Sequence, residues 1–143
     1  GEAARGLELL AGGSSRGVLE AELPSQRVSV RITSARTQSR LEFQGDAPSR
    51  LKLVCTVEAR LSEYESSPTA GEAAQIPVQL ARRERSRIEA ALALLKRLRA
   101  DCAGLGVKGA VSCPAQWQGI QEEWPMLFSA LPTEVEVAVV LNK

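Results

Sequence analysis

The chain of 143 residues contains no histidine. That removes the commonest general base, the usual serine and cysteine triads, and the common zinc ligand sets. Its three cysteines, Cys55, Cys102 and Cys113, form no Cys-x-x-Cys pair, so a structural zinc site is excluded as well. No stretch approaches the ~18 consecutive apolar residues of a membrane span, and no basic, apolar, small-residue leader opens the chain. Aromatic residues supply only 3% of the composition, which leaves Leu, Val, Ile and Ala to build the core. Neither sign of charge dominates: 18 basic residues face 17 acidic ones, and a net charge of +1 offers nucleic acid or anionic lipid no strong field. The chain begins at Gly1 without an initiator methionine, and we expect a soluble, excised piece whose signal or anchor lies outside it.

What is present is ordinary globular material, 44% hydrophobic and 24% charged. A chain of this size buries roughly 68–70% of its unfolded surface, enough for a single domain over residues 1–143. Arg5 to Leu10 is short and apolar and Ala11 to Ser15 is turn material, so the fold proper is expected to start beyond them. Val18 to Leu23 reads as a weak strand. Val28, Val30 and Ile32 alternate with polar residues as a half-buried strand does, and Thr37 to Phe43 continues the pattern less clearly. After a turn at Gly45 to Ser49, the run Leu51, Leu53, Cys55, Val57, Ala59, Leu61 keeps a period of two, with Lys52, Thr56, Glu58 and Arg60 on the opposite, solvated face. Ser66 to Gly71 reads as a linker. From Val78 to Ala103 the period becomes helical, with Leu80, Ile88, Ala91, Leu92, Leu95, Leu98 and Cys102 on one face and Gly104 and Gly106 placed to end it. Pro114 and Pro125 suit the first turns of two short helices, 114–121 and 125–130, and Val135, Val137 and Val139 mark a final strand. This order predicts an α+β fold, a mainly antiparallel sheet packed on one long amphipathic helix, with short helices before the last strand.

Candidate chemistry is sparse. Without histidine a serine nucleophile would have to lean on lysine. The acidic residues beside aromatic ones, Glu63 and Glu65 around Tyr64 and Glu122-Glu123 before Trp124, read as solvated or capping groups rather than general acids. Gly104-Leu105-Gly106 and Gly12-Gly13 lack the Lys-Ser/Thr of a phosphate loop and read as caps and turns. The basic run Arg82-Arg83-Glu84-Arg85-Ser86-Arg87 reads as a solvated helix face, and Cys55 and Cys102 as core hydrophobes; a Cys102 to Cys113 disulfide stays open. Trp117, Trp124 and Phe128 put most of the aromatic bulk into twelve residues, and Trp124 and Phe128 at i, i+4 can share a helix face. We read them as a plug at the end of the long helix in preference to an exposed binding surface. No catalytic, cofactor-binding or metal-binding residue is expected.

The C-terminal cluster is the distinctive part: Asp101-x-x-Gly104-Leu105-Gly106, Pro114-x-x-Trp117, Trp124-x-x-x-Phe128, then the valine-rich strand from Val135. In that order and spacing it resembles the C-terminal domain of the C subunit of Ger-type spore germinant receptors. Arg5-Gly6-Leu7, Val28-Ser29-Val30 and Leu61-Ser62-Glu63 resemble the family's opening, early strand and long-strand end, so the likeness spans nearly the whole chain. The chain departs from the pattern at Cys102, Ala103 and Cys113. The resemblance implies a non-enzymatic part of a lipoprotein. That lipoprotein would be held by a lipid anchor on the outer face of the spore inner membrane and act with two integral membrane subunits. Two roles follow: an assembly module, contacting those subunits or its own N-terminal domains, or a germinant-binding domain with a pocket near Trp117 and Trp124; setting the resemblance aside leaves a generic extracytoplasmic interaction domain. A carboxylate-based hydrolase of spore peptidoglycan is the least favoured. The family-pattern residues are Arg5, Gly6, Glu63, Asp101, Gly104, Gly106, Pro114, Trp117, Trp124 and Phe128.

Overall fold

The structure, a computed structural model, describes residues 2–11, 17–24, 26–63 and 68–142. Its elements run α1 (Glu2–Leu10), β1 (Gly17–Glu22), β2 (Arg27–Gln44), β3 (Ala47–Glu63), α2 (Ala70–Arg97), α3 (Leu105–Gly109), α4 (Pro114–Ile120), a 3-10 turn (Gln121–Glu123), α5 (Trp124–Ala130) and β4 (Thr133–Asn142). Four strands form one sheet in the order β1-β2-β3-β4. The first three are antiparallel neighbours, and β4 joins β3 in parallel, because α2 and the short helices carry the chain back across the sheet before it pairs. The fold is therefore α+β, as the sequence predicts.

One face of the sheet is core. Val28, Val30, Ile32, Leu51, Leu53, Cys55, Val57 and Ala59 point inward against Ile76, Leu80, Ile88, Ala91, Leu92 and Leu95 of α2. The other face carries charge in water. There Arg50 of β3 bridges Glu42 of β2 at 2.6 Å and Glu134 of β4 at 2.7 Å, and its guanidinium holds the Glu42 carboxyl below the usual carboxylate value. Among the described residues no helix is long and apolar enough to cross a membrane.

Several expectations are corrected. The opening segment is helical and belongs to the fold: α1 packs along α2 and buries Leu9 and Leu10. β2 is one strand of 18 residues rather than two pieces. A register shift between Ile32 and Ser34 interrupts its alternation, which is why the pattern fades there in the sequence. The long helix starts eight residues earlier than predicted and stops six earlier. At its start, Glu72 N–H donates to Thr69 Oγ1 at 3.1 Å and Thr69 N–H to Glu72 Oε1 at 3.3 Å, a capping box inside the stretch read as a linker. At its end the chain turns through Arg99, φ 52°, and Ala100 N–H donates to the Leu95 carbonyl at 3.0 Å, so the stop does not need the glycines. Cys102 consequently lies past the helix and is exposed, whereas Cys55 is buried; all three cysteines are free thiols.

Burial raises the Cys55 thiol above its ordinary pKa. The folded state thus favours the protonated thiol, and the stability this brings is present below the unfolded thiol pKa of about 8.5 and declines as pH rises above it. With an aromatic disulfide reagent near neutral pH, Cys102 is expected to react promptly and Cys55 only on unfolding. Prompt modification of Cys55 in the native protein would contradict its placement.

Candidate functional site

Two clusters hold most of the singled-out residues. The first begins where α2 ends. Asp101 Oδ1 accepts from the Leu105 amide at 2.8 Å, while Oδ2 accepts from the Gly106 amide at 2.8 Å and from Trp124 Nε1 at 2.8 Å. One carboxylate therefore caps the first turn of α3 and fixes the indole of α5, a charge-assisted arrangement that satisfies three donors at once. Gly104 precedes α3 with φ 69°, the left-handed conformation that favours glycine.

Gly106 supplies the space this packing needs. A Cβ there would stand 2.5 Å from Trp124 Cε2 and 2.8 Å from the Trp117 ring. The indoles of Trp117 and Trp124 meet edge to face at 5.4 Å between centroids, and Phe128, one turn along α5, lies 5.6 Å from Trp124. Trp124 and Phe128 are buried, and Trp117 half-buried, against the core. Pro114 is the first residue of α4, and the Trp117 amide donates to the Cys113 carbonyl at 3.0 Å, so the proline sets the turn that aims Trp117. Replacing Gly106 by Ala is expected to cost about 1–3 kcal/mol, since neither indole can retreat without opening the plug. Equilibrium urea unfolding checks this, and an unchanged midpoint would show that the two rings yield freely.

The second cluster joins the opening of the chain to α2. Glu84 is completely buried, and its carboxylate takes Arg5 Nε at 3.2 Å and Arg5 Nη2 at 2.8 Å on Oε2 and Arg87 Nη1 at 2.6 Å on Oε1. Next to Arg5, Gly6 lies so close to α2 that a Cβ would fall onto the Arg87 carbonyl oxygen and 2.8 Å from Ala91 Cβ. Arg5 and Gly6 thus act together: one removes the obstacle to close helix packing, and the other neutralises the acid that the packing buries. Reading residues 82–87 as a wholly solvated face is corrected here. Arg82, Arg85 and Glu89 are exposed, but Glu84 is core. The available signal was position, because Glu84 falls four residues after Leu80 and four before Ile88 on the apolar stripe.

Two residues stand apart. Glu63 ends β3 opposite Ser29, and its side chain lies outside the described residues, as do Tyr64, Glu65 and Gly12-Gly13. Pro114 touches the first cluster only through α4. The spacing Gly104-x-Gly106-x-x-Gly109 matches a dinucleotide fingerprint on paper, but it follows a helix rather than a strand and opens a helix of five residues. Its glycines face Trp124 and the backbone of β2. Ser49-x-x-Lys52 has a serine–lysine spacing, yet it lies on β3, where i and i+3 point to opposite faces. Ser49 Oγ donates to the Glu42 carbonyl at 3.1 Å, and Lys52 pairs with Glu136 at 3.5 Å. Gly13-x-Ser15-x-Gly17 rests on residues outside those described. No group of three or more metal-ligating carboxylates or thiols occurs among the described residues.

An antiparallel-plus-parallel sheet, a long helix behind it, and an aspartate-centred aromatic knot between α2 and β4 define a domain class, and comparison with known families places it. The family model described as "Spore germination B3/ GerAC like, C-terminal" matches residues 1–143, and the chain belongs to that family. Among solved structures, that described as "Crystal Structure of the GerBC protein" superposes with a TM-score of 0.82 over 99% of this chain and 45% of the other, at 12% sequence identity. At that identity the likeness is one of fold, and the chain spans less than half the length of GerBC. No curated protein matches the chain.

Proposed function

We propose that this chain is a non-enzymatic assembly domain of a nutrient germinant receptor, the C-terminal part of its lipid-anchored C subunit. It would act at the outer face of the spore inner membrane, presenting its surfaces to the two integral membrane subunits and to the N-terminal domains of its own chain. The observation that carries this reading is how the family-pattern polar groups are used. The Asp101 carboxylate is filled by three internal donors, and the Arg5 guanidinium is committed to Glu84. Residues spent on internal contacts specify a rigid shape, and a rigid shape is what an assembly surface requires. A germinant pocket built on Trp117 and Trp124 draws less support, because Trp124 is buried with its Nε1 already bonded to Asp101.

Titration calorimetry with amino acids, sugars and nucleosides separates these readings. The assembly reading expects no saturable heat from any of them. A one-to-one isotherm with one nutrient, lost on replacing Trp117, would make this a ligand-binding domain instead.

A further inference from the structure

β4 ends the sheet on the side away from β1, and among the described residues no strand lies beyond it. Leu51 N–H donates to the Pro132 carbonyl at 3.0 Å, which sets the parity of the parallel ladder between β3 and β4. Glu134, Glu136, Ala138 and Val140 therefore turn their amides and carbonyls to β3, while Thr133, Val135, Val137, Val139 and Leu141 turn theirs outward. No hydrogen bond among the described residues reaches those outward groups. Residues 12–16 and 25 flank β1 at the opposite edge, and 64–67 follow Glu63, three positions past the last pair of β3 with β4, Arg60 with Asn142. The strand runs ten residues without a proline, a lysine or a break in register, the devices that keep natural edges unpaired. Its only charges, Glu134 and Glu136, sit on the outer face of the sheet, held by Arg50 at 2.7 Å and Lys52 at 3.5 Å.

We infer that two copies of the chain join at this edge, β4 to β4, in antiparallel pairing about a two-fold axis at Val137. That centre uses the whole strand. Thr133 falls opposite Leu141 of the second copy, Val135 opposite Val139, and Val137 opposite its own counterpart, all residues whose backbone groups point outward. Val137, Val139 and Leu141, half-buried in one copy, gain apolar neighbours across the new ladder. On the outer face Glu134 meets Val140 and Glu136 meets Ala138, so no acid faces an acid. A parallel copy in register would instead set each glutamate against itself, which selects the antiparallel arrangement. α2 borders the edge with Arg85 and Glu89, bonded to each other at 2.8 Å, and brings no surplus charge to it. The two-fold consumes the edge it uses, so four strands from each copy form one continuous sheet and association stops at two.

Sedimentation equilibrium of the 143-residue chain reads the contact. The mass should rise from the 15.3 kDa of one chain towards twice that value. The rise is expected between about 1 µM and about 300 µM, since strand pairing alone makes a small interface. Ala138→Glu, on the exposed outer face, sets like charges opposite Glu136 twice about the axis and should weaken the dimer about tenfold. Ala138→Lys brings opposite charge to the same glutamates and should leave the dimer as tight or tighter. At about 1 µM, where the chains are single, both variants should melt within about 2 °C of the parent. Val137→Pro removes an amide that only the second copy uses, keeps the ladder with β3 and should abolish the dimer; should it not fold, the two Ala138 variants decide. Hydrogen exchange read by NMR locates the contact: the Val135, Val137 and Val139 amides should gain protection as concentration rises, while those of Glu136 and Ala138, held by β3 throughout, should not. Three results would overturn the inference: a single-chain mass up to about 300 µM, a dimer indifferent to Ala138→Glu, or growth past two chains. A chain that stays single beside a nutrient response lost on removal of the domain would discard this contact alone and leave the assembly reading standing.

Discussion

Asp101→Ala is expected to lower stability by about 4 kcal/mol, a large share of the roughly 5–15 kcal/mol that holds a domain folded. The substitution strips the acceptor from two backbone amides and one indole, all within a part-buried turn. Each hydrogen bond to a charged acceptor contributes about 1.5–3 kcal/mol, and the three are not additive because they share one carboxylate. The melting temperature should fall by about 12–20 °C. Tryptophan emission should shift to the red as the Trp124 indole loses its partner and takes up water. Asp101→Asn should fall between, because an amide brings one accepting oxygen where the carboxylate uses two. Equal stabilities for Asp101, Asn and Ala variants would show that the turn is held by the aromatic packing alone.

Breaking the α1–α2 ion cluster is expected to cost nearly as much. Arg5→Met removes two hydrogen bonds from the Glu84 carboxylate while leaving that group wholly inside the protein. A buried charge left without partners costs about 3–5 kcal/mol, and with Arg87 still on Oε1 the loss is expected towards the lower end of that range. The informative comparison is the double variant Arg5→Met with Glu84→Leu, which takes away the charge along with its partner and should recover most of the loss. A double-mutant cycle by urea denaturation would then give a coupling energy of about 2–3 kcal/mol. If the double variant were as unstable as the sum of the singles, the role of Arg5 would lie in packing against α2 and not in neutralising Glu84. Gly6 bears on the same helix contact, because any side chain there would push α1 off the Arg87 carbonyl and carry Arg5 away with it.

Much of this architecture is legible in the sequence, and the reasons for the gaps are physical. β3 is plain because one of its faces is dry and the other wet, so Leu51 to Leu61 alternate without a break. β2 is blurred by one irregularity near Thr33 that moves the inward set by a residue. The body of α2 shows its stripe, but its ends are set by Thr69, Glu72 and Arg99, whose roles depend on backbone geometry that charge and hydropathy do not report. α1 is too short for periodicity to speak, and its reason for existing is tertiary: Gly6 against α2 and Arg5 against Glu84. Glu84 itself was hidden by its basic neighbours, although its place on the stripe foretold burial. The parallel docking of β4 on β3 is likewise a choice made in three dimensions. At the knot, the spacing of Asp101, Gly106 and Trp124 marks a motif, while the bond from the indole to the carboxylate, across 23 residues, emerges only on folding.

The most direct test of the account is nutrient-triggered germination, followed as loss of spore optical density. The strain should lack every other germinant receptor and carry the gene for the full-length protein without only these residues. The assembly reading predicts that the nutrient response disappears while calcium-dipicolinate still triggers germination. A nutrient response of normal rate and extent in that strain would contradict it.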